Sequence, residues 1–368
     1  NPKSSILNSN LMFRILLTGG GTGGHIFPLI AVAEEIRKTD FADVELYYIG
    51  PKSPLNGEFL NRDIPVYRIA GSKLRRYFSP VNFIDIPKFF WSILQALFRL
   101  YFLMPDAVFS KGGPGALAVV LAARFYMIPI IIHESDSVPG LTNKLSAKFA
   151  KRIGIGFEAA ANYFDKNKTF VSGNPAREEL VGGGSKPNSG GKPLVFVWGG
   201  SQGSARINRF VFDNLDALLE KYRIFHQVGE KNVDEAKMFS ANAGYKFAGF
   251  LDLNGMKEAF SEADAVIARA GSGSIFEIAA FGKPSILIPL EEAANNHQKM
   301  NAYEYAKAGA SIVIEEANLT PNIILSQLEN ILGDKGKYAV MTAAARKFAR
   351  PDAAKMISAE IFQILRHS

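Results

Sequence analysis

The stretch that decides the fold is Arg14-Ile-Leu-Leu-Thr18 followed by Gly19-Gly-Gly-Thr-Gly-Gly24-His25, a short apolar segment that runs directly into a glycine-rich turn. The residues from Pro28 to Lys38 then carry the pattern of a helix. A buried strand, a glycine turn and a helix in this order are typical of the first unit of a parallel α/β sheet. The glycines let the backbone approach a ligand closely, and the helix start offers free N–H groups to an anion.

Other apolar segments have the length of buried strands, and helical patterns separate most of them. They are Arg14–Thr18, Val44–Ile49, Ala107–Ser110, Pro129–His133, Arg152–Gly156 and Thr169–Ser172 in the first half, and Leu194–Trp198, Arg223–Val228, Tyr245–Ala248, Ala265–Ala268, Ser285–Ile288 and Ser311–Ile314 in the second. This alternation predicts an α/β fold of two Rossmann-like domains whose parallel sheets face a central cleft.

A break separates the two sets of strands. Residues Gly182–Gly191 have the composition of a flexible linker. At roughly 150 residues per domain, a chain of 368 residues is expected to form two domains. We expect an N-terminal domain at 12–178, a linker at 179–193, a C-terminal domain at 194–351 and a last helix at 352–367.

Composition excludes several classes of protein. The chain has no cysteine, which excludes a disulfide scaffold, a cysteine zinc site, an iron–sulfur protein and a thiol nucleophile. The net charge is +7, and the basic excess lies mainly in the first half, which predicts an anionic partner. Because no long Lys/Arg run occurs, we expect a phosphorylated substrate or a membrane surface and no nucleic acid.

Neither a signal peptide nor a membrane-spanning segment is expected. The first eleven residues lack a basic start and a long apolar stretch, so we expect a disordered leader or a remnant of cloning before Met12. The longest apolar run, Phe89–Met104, has about 16 residues and includes Gln95 and Arg99. A spanning helix needs about 20.

The first glycine turn matches the dinucleotide fingerprint at Gly19, Gly21 and Gly24. That fingerprint also requires an acidic residue at the end of the second strand, but this strand ends in Tyr47-Tyr-Ile-Gly-Pro51. A dinucleotide is therefore disfavoured, and a tight turn without a ligand stays open. A second loop, Gly199-Gly-Ser-Gln-Gly203, opens the other half, and a pair of such loops favours binding of a diphosphate or an acceptor's polar groups.

Two further strand ends in the second half carry polar residues. Glu277 comes early on the helix after Arg269-Ala-Gly-Ser-Gly-Ser and is suited to accept hydrogen bonds from two ribose hydroxyls; a solvated glutamate is the alternative. His297 and Gln298, with Asn301 one turn later, are suited to bind sugar hydroxyls, and ordinary helix capping is the alternative.

In the first half, the corresponding strand ends carry Lys111–Gly115, His133–Asp136 and Gly173–Arg177. Arg177 is suited to cross the cleft to a carbonyl or phosphate, with a surface position as the alternative. No cluster of histidine or carboxylate residues has metal-ligand spacing, so we expect no metal site and no tightly bound cofactor.

In this order, the loops resemble those of the GT-B glycosyltransferase superfamily, and within it the bacterial family that adds N-acetylglucosamine (GlcNAc) to lipid I to form lipid II in peptidoglycan synthesis. The resemblance extends from Met12 to the C-terminus. It rests on Gly20–His25, His133-Glu134 with Gly140–Asn143, Gly173–Arg177, Gly199–Gly203, Arg269–Glu277, and Asn295–Gln298 with Asn301.

The resemblance implies an inverting transfer from UDP-GlcNAc, a substrate rather than a cofactor, and a last helix that returns to the N-terminal domain. In it, Glu277 binds the ribose, Leu251 and the Ser272–Ile275 turn receive uracil and diphosphate, and His297 and Gln298 hold the GlcNAc hydroxyls. The expected donor-binding residues are Thr22, Gly23, Gly24, Asp136, Arg177, Ser201, Gln202, Leu251, Ser272, Gly273, Ser274, Ile275, Glu277, His297 and Gln298. The expected acceptor- and diphosphate-binding residues are Gly20, Gly21, Gly199, Gly200, Gly203 and Asn208.

Such a transfer needs a base near the acceptor hydroxyl. His25 is the first candidate because imidazole titrates near neutrality, and Glu134 is the second. His25 as a hydrogen-bonding residue of the helix start stays open. The family typically has Gln-Asn after the His-Glu pair, whereas this chain has Ser135-Asp136; the change removes two donors and adds a charge.

A lipid-linked acceptor requires a membrane surface, and the segment from Arg68 to Lys111 is basic and aromatic. Its basic residues are Arg68, Lys73, Arg75, Arg76, Lys88, Arg99 and Lys111. We expect peripheral association with an anionic membrane at the cytoplasmic face of the plasma membrane, with packing of Phe89–Met104 in the core as the alternative. Proteins of cell-wall synthesis are further expected partners.

Three other functions compete with this one. A glycolipid synthase would share the basic aromatic face, whereas a UDP-GlcNAc epimerase would have no need of it. A non-catalytic nucleotide-sugar binding subunit would need no His25 opposite the donor.

Overall fold

The computed structural model describes residues 12–39, 43–71, 82–175, 191–200, 203–291 and 296–366. The first half of the chain forms a seven-stranded sheet in the order β3-β2-β1-β4-β5-β6-β7, and all its neighbouring strands are parallel. The strands are Met12–Thr18 (β1), Asp43–Gly50 (β2), Val66–Arg68 (β3), Ala107–Ser110 (β4), Ile130–Glu134 (β5), Arg152–Ile155 (β6) and Thr169–Val171 (β7).

The second half forms a six-stranded parallel sheet in the order β10-β9-β8-β11-β12-β13. Its strands are Leu194–Trp198 (β8), Arg223–Gln227 (β9), Tyr245–Ala248 (β10), Ala265–Ala268 (β11), Ser285–Leu287 (β12) and Ser311–Val313 (β13). Two parallel sheets in an α/β chain confirm the predicted fold class.

Helices connect the strands in both halves. They are Gly23–Arg37 (α1), Gly57–Leu60 (α2), Asn82–Leu103 (α3), Ala116–Phe125 (α4), Leu141–Ser146 (α5), Ala205–Asp213 (α6), Leu215–Lys221 (α7), Val233–Lys237 (α8), Leu253–Glu262 (α9), Ser272–Ala280 (α10), His297–Lys307 (α11), Pro321–Leu332 (α12), Lys335–Phe348 (α13) and Ala353–Arg366 (α14).

The central strands are buried on both faces. Every residue of β4, β5, β8 and β11 is buried, and a separate apolar cluster lies on each face of each sheet. The helices that connect parallel strands cover both faces of the sheet. Because the central strands are buried on both faces, their sequences are apolar at nearly every position.

The last helix packs on the N-terminal sheet. Ile357, Ile361 and Leu365 of α14 are buried in the same cluster as β1 and α1. The Arg152 guanidinium, on β6, binds both carboxylate oxygens of Glu360 at 2.7 and 2.8 Å. The chain therefore crosses back to the first half after the second sheet is complete. Most of the predicted linker, at 176–190, lies outside the described residues.

In each sheet the first strand of the half, β1 or β8, lies between the strand that follows it and one reached by a crossover. Strand order reverses at this point, and ligands of open α/β sheets bind beyond the carboxyl ends of the strands there. We therefore expect a binding site that is lined by the loops after β1, β4, β8 and β11.

Candidate functional site

Three hydrogen bonds fix the first glycine loop to β2 and to the loops after β2 and β4. Gly20 N–H donates to the Gly112 carbonyl at 2.8 Å, Ser53 Oγ–H to the Gly21 carbonyl at 2.6 Å, and the Tyr48 hydroxyl to the Gly19 carbonyl at 3.1 Å. The loop after β1 is thereby tied to the loops after β2 and β4.

The start of α1 is open. Thr22 precedes the helix, and its side chain caps no backbone N–H; Oγ1 instead pairs with Nδ1 of His25 at 2.7 Å. A Cβ built on Gly24 would meet no atom within 4 Å. Backbone N–H groups at Gly23 and Gly24 therefore stand at an uncapped helix start, an arrangement that favours an anion or a polar sugar.

The His25 imidazole lies half-buried between two glycine loops. A Cβ on Gly20 would stand 3.0 Å from its Nδ1, and one on Gly113 would stand 2.8 Å from its Nε2. Gly113 also has φ +85°, a conformation that favours glycine. Burial, and secondarily the charge of Lys111, lower the pKa of His25 to about 4, whereas Asp136 opposes the shift. The imidazole is therefore neutral at pH 7.

The Glu134 side chain stabilises the loop that follows β5. Its carboxylate accepts hydrogen bonds from Asp136 N–H at 2.9 Å, Gly140 N–H at 3.2 Å and Asn143 Nδ2 at 3.0 Å. Burial, and next the nearby Asp136 carboxylate, raise the pKa of Glu134 to about 7. Both carboxylate oxygens already serve the turn that follows β5.

The two halves meet at this turn. Asn301, on α11, accepts at Oδ1 from Ser137 N–H and Ser137 Oγ–H, both at 2.8 Å. Its Nδ2 donates to Asp136 Oδ1 at 2.8 Å. Because His297 and Gln298 lie one turn earlier on α11, this contact places them across the cleft from the loop after β5. Asp136 also lies near enough to His25 to raise its pKa.

The second glycine loop needs its glycines for close packing. A Cβ on Gly199 would stand 2.4 Å from Ser204 N, and one on Gly203 would stand 2.1 Å from the Val228 carbonyl. Gly200 has φ +86°, and a Cβ there would meet no atom within 4 Å. The loop packs tightly against the residue that follows β9, and its open side is at Gly200.

Arg269, which follows β11, ties the loops of the second half together. Its Nε donates to Ser204 Oγ at 3.0 Å, and its Nη1 donates to the Ile288 carbonyl at 3.1 Å. Nη1 also lies 2.5 Å from the carboxylate of Glu316, and this ion pair is buried. Three strand ends are therefore held by one guanidinium.

The α10 helix begins without a side-chain cap after Gly271. Ser272, Gly273 and Ser274 are half-buried in its first turn, Ile275 is fully buried, and Glu277 is half-buried one turn along. Leu251 is half-buried in the loop after β10. An uncapped helix start with a carboxylate on the next turn provides separate places for a diphosphate and for hydroxyl groups.

On α11, His297 is the first helical residue and follows Asn296 in the left-handed conformation, at φ +52°. The Gln298 side chain accepts a hydrogen bond from Leu290 N–H at 3.1 Å through Oε1. Its amide nitrogen has no part in that bond. The loop after β12 and the start of α11 thus support each other.

Asn208 lies below the second glycine loop rather than on its open side. It is 2% exposed; Nδ2 donates to the Val228 carbonyl at 2.8 Å, and Oδ1 pairs with His226 at 3.1 Å. This side chain joins α6 to β9. Arg177, Ser201 and Gln202 lie outside the described residues.

Two residues of the predicted strand end Lys111–Gly115 were given no role in the site from the sequence. Gly113 makes room for His25, and Lys111 is buried beside it at 2% exposure. The signal was a lysine directly after an apolar strand, followed by two glycines. Lys111 was instead counted with the basic residues of the membrane face, and its burial corrects that assignment.

The described residues contain no group of three or more His, Cys, Asp or Glu side chains placed to hold a metal ion. Within the same part of the chain, no helix has the length and apolarity needed to cross a membrane.

Comparison with known proteins gives matches along nearly the whole chain. The glycosyltransferase family 28 N-terminal domain matches residues 15–155, and its C-terminal domain matches residues 194–357. The UDP-N-acetylglucosamine–N-acetylmuramyl-(pentapeptide) pyrophosphoryl-undecaprenol N-acetylglucosamine transferase of Clostridium novyi (strain NT) is 35% identical over 339 residues, which are 89% of this chain and 92% of the relative.

Solved structures also match this chain over nearly its whole length. The crystal structure of Acinetobacter baumannii MurG superimposes with a TM-score of 0.76 at 27% identity, over 95% of this chain and 99% of that one. A UDP-N-acetylglucosamine 2-epimerase has a TM-score of 0.68 at 14% identity, over 97% of each chain. The second likeness shows the fold alone.

Proposed function

Because the chain belongs to the family of bacterial UDP-N-acetylglucosamine–N-acetylmuramyl-(pentapeptide) pyrophosphoryl-undecaprenol N-acetylglucosamine transferases, we propose that it moves GlcNAc from UDP-GlcNAc to the muramoyl sugar of lipid I. The product is lipid II, and the anomeric carbon is inverted. The observation that carries this proposal is the contact of Asp136 and Ser137 with Asn301, which brings the His25 loops and the α11 start to one cleft.

The donor is assigned to the second half. Glu277 accepts hydrogen bonds from the ribose hydroxyls, Leu251 and the Ser272–Ile275 turn receive uracil and diphosphate, and His297 with Gln298 holds the GlcNAc hydroxyls. The uncapped N–H groups of α10 support this assignment, since they suit an anion. We keep Arg177, Ser201 and Gln202 as donor contacts, and Gly199, Gly200 and Gly203 as the loop that faces the acceptor's polar groups.

The acceptor is assigned to the first half. Gly20 and Gly21 line the diphosphate of lipid I, and Thr22, Gly23 and Gly24 lie between it and the donor sugar. The open space at Gly24 supports this placement, because a ligand needs direct access to the helix start.

In the displacement, the acceptor hydroxyl gives its proton to His25 as its oxygen bonds to the anomeric carbon. The bond from that carbon to UDP breaks, and the diphosphate leaves with the electron pair, facing the N–H groups of α10. Thr22 orients the imidazole through its bond at Nδ1. Glu134 shapes the loop after β5, because its two oxygens already accept three hydrogen bonds there.

The protein binds its lipid-linked acceptor at an anionic membrane surface. We place it as a peripheral protein at the cytoplasmic face of the plasma membrane. Support comes from α3, whose outer face carries an unbroken row of exposed apolar side chains flanked by exposed Lys88 and Arg99. The exposed side chains are Ile86, Phe90, Trp91, Leu94, Phe98, Tyr101 and Phe102, each exposed by 53–66%. Lys73, Arg75 and Arg76 lie outside the described residues.

The test is transfer of labelled GlcNAc from UDP-GlcNAc to a short-chain lipid I analogue, with EDTA present. We expect product with UDP-GlcNAc and none with UDP-glucose or without acceptor. Glu277→Ala should raise KM for UDP-GlcNAc by about 5–100-fold, the cost of hydroxyls left without a partner, whereas exposed Glu258→Ala on α9 should not. UDP binding without transfer to lipid I would overturn the proposed acceptor.

A further inference from the structure

A buried glutamine ends β9, in the half to which the donor is assigned. Gln227 is the last residue of this strand and is 1% exposed. Its Nε2 donates to the carbonyl of Gly249, the residue after β10, at 2.9 Å. Because a carbonyl only accepts, the amide nitrogen must face Gly249, and the amide oxygen faces elsewhere. Within the described part of the chain, that oxygen is buried and has no hydrogen-bond partner.

The surroundings of this amide are largely apolar. Gln227 is in register with Trp198 on β8 and with Ala248 on β10, so the three side chains lie on one face of the sheet. Trp198 belongs to the apolar cluster on that face. A buried acceptor without a hydrogen bond destabilises a fold, and an apolar side chain of similar length would avoid this cost. The bond to the Gly249 carbonyl is what such a side chain could not replace.

The loop after β10 is anchored at both ends. At its start, a Cβ on Gly249 would stand 2.5 Å from Val233 Cγ2, so this residue packs closely against α8 while its carbonyl is held by Gln227. At its end, Asp252 Oδ1 accepts a hydrogen bond from Gly255 N–H at 2.8 Å and caps α9. The two residues between these anchors, at 250 and 251, are therefore held from both sides.

The middle of this loop is available to a ligand. Leu251 packs its side chain against the same apolar cluster as Trp198. Among the described residues, no hydrogen bond uses the N–H or the carbonyl of Leu251. Backbone groups that the protein leaves unpaired need a partner from water or from a ligand. The position of Leu251 is thus set by its side-chain packing and by the anchors of the loop.

We propose that Gln227 is a positioning residue for the base of the donor nucleotide, and that it acts through the Gly249 carbonyl on the loop that holds Leu251. The inference rests on the proposed function in one respect, since it takes Leu251 as part of the place that receives uracil. Without the bond from Gln227, the Gly249 carbonyl loses its side-chain partner and the loop loses its first anchor. Contacts to the diphosphate and to GlcNAc, which are assigned to α10 and α11, do not depend on this bond.

Binding of UDP to Gln227→Met, measured by titration calorimetry without acceptor, tests the proposal. Methionine keeps an unbranched side chain of similar length but donates no hydrogen bond. We expect Kd for UDP to rise by about 5–50-fold, because a buried carbonyl is left unpaired. The preference for UDP over CDP should fall as well, since the same loop contacts the base. At saturating UDP-GlcNAc, kcat should stay within about threefold of the unmutated value, because the lost interaction concerns binding.

The matched control is Asn56 in the first half, which has the same pattern of bonds. It is 2% exposed, its Nδ2 donates to the Pro51 carbonyl at 3.2 Å, and its Oδ1 has no partner among the described residues. Asn56→Leu should leave Kd for UDP unchanged, and the midpoint of urea unfolding is measured for both variants. An equal rise of Kd in both variants would show a general loss of stability and would overturn the positioning role.

Gln227→Glu tests the donated hydrogen itself. Burial raises the pKa of a carboxyl group, so this side chain carries a proton at low pH and loses it at high pH. The protonated acid donates to the Gly249 carbonyl, whereas the carboxylate repels it. Relative to the unmutated protein at the same pH, we expect Kd for UDP within about threefold at pH 5 and raised more than about tenfold at pH 9. Equal ratios at both pH values would contradict a role for the hydrogen bond.

The outcomes separate this inference from the proposed function. Equal binding of UDP by the unmutated protein and by Gln227→Met would overturn the positioning role and leave the proposed function in place. Absence of UDP binding by the unmutated protein would overturn both. The expected changes in UDP binding without any transfer of GlcNAc to lipid I would support the role of Gln227 and reject the assigned acceptor.

Discussion

At the scale of single residues, desolvation sets the pKa values of the titratable groups in the candidate site. His25 keeps a half-buried ring and a lowered pKa, whereas Glu134, at 4% exposure, has a raised pKa. Desolvation disfavours the charged form of each, which pushes the two pKa values in opposite directions. The two candidate bases therefore predict different pH dependences of the activity.

The pH dependence of kcat/KM, which reports the free enzyme, distinguishes them. A base must be unprotonated, so activity carried by His25 is present above its pKa and is lost as pH falls through about 4. Activity carried by the Glu134 carboxylate would instead be lost as pH falls through about 7. We expect a plateau from pH 8 to about 5 and then a fall.

The control for this profile is reassay at pH 7.5 after incubation at each pH, which reveals irreversible unfolding. His25→Ala should lower kcat by about 10²–10⁴-fold at pH 7.5. A loss confined to the KM for the acceptor would show that His25 binds substrate and does not take the proton.

At the scale of elements, α3 has one buried face and one exposed face. Ser92, Ala96 and Leu100 are buried against the sheet, while Phe90 and Phe98 on the other side are about 60% exposed. Tyr126, after α4, donates its hydroxyl to the Leu97 carbonyl at 3.3 Å and joins the two helices. Phe125, the last residue of α4, and Met127 are also exposed. The α3 helix is therefore only half in the core, and its outer face is exposed.

This face predicts binding to vesicles that contain anionic phosphatidylglycerol. The variant with Phe90→Ser, Trp91→Ser and Phe98→Ser should bind them at least about tenfold more weakly, because burial of a large apolar side chain contributes roughly 1.5–3 kcal/mol. Cosedimentation measures the loss, and circular dichroism checks the fold. Met238→Ser, 73% exposed in the second half, is the matched control. Equal binding by all three proteins would contradict the assignment.

At the scale of the whole molecule, a few contacts hold the halves together. Phe157 of the first half packs against Phe276 and Phe348 of the second, with ring centroids 5.3 and 5.7 Å apart. Asn301 supplies polar contacts at the cleft, and Arg350 pairs with Glu158 at 3.5 Å. The Asn301 contacts and the Phe157 contacts involve different loops of the first half, so the Asn301 contacts can be removed separately.

Asn301→Ala leaves Ser137 N–H and Asp136 without their partner across the cleft. We expect a larger radius of gyration in solution X-ray scattering and a fall of kcat/KM by about 10–100-fold, because buried polar groups lose their hydrogen bonds. The control is Lys221→Ala, which breaks an exposed pair with Glu329 inside the second half and should change neither quantity. Unchanged scattering in Asn301→Ala would mean that other contacts set the distance between the halves.

Most of the fold followed from local patterns. The strands after which the candidate site is built, β1, β4, β8 and β11, were predicted within two residues at each end, because centrally buried parallel strands are apolar throughout. The strand β3, Val66–Arg68, at the edge of the first sheet, was not predicted. The family prediction, drawn from loops in register, is confirmed by the matches over most of the chain.

By itself, the sequence determined the two sheets, the glycine loops and the helix starts, because strand burial and tight turns depend on residues that are adjacent in the chain. Only the tertiary structure decided what those residues meet. Lys111 bonds to Asn174, 63 residues away, and Asp136 bonds to Asn301, 165 residues away. The same limit applied to α3, because periodicity identifies an apolar face but cannot show whether protein covers it. Burial, and with it the charge state of His25 and Lys111, is a property of neighbours brought together by folding.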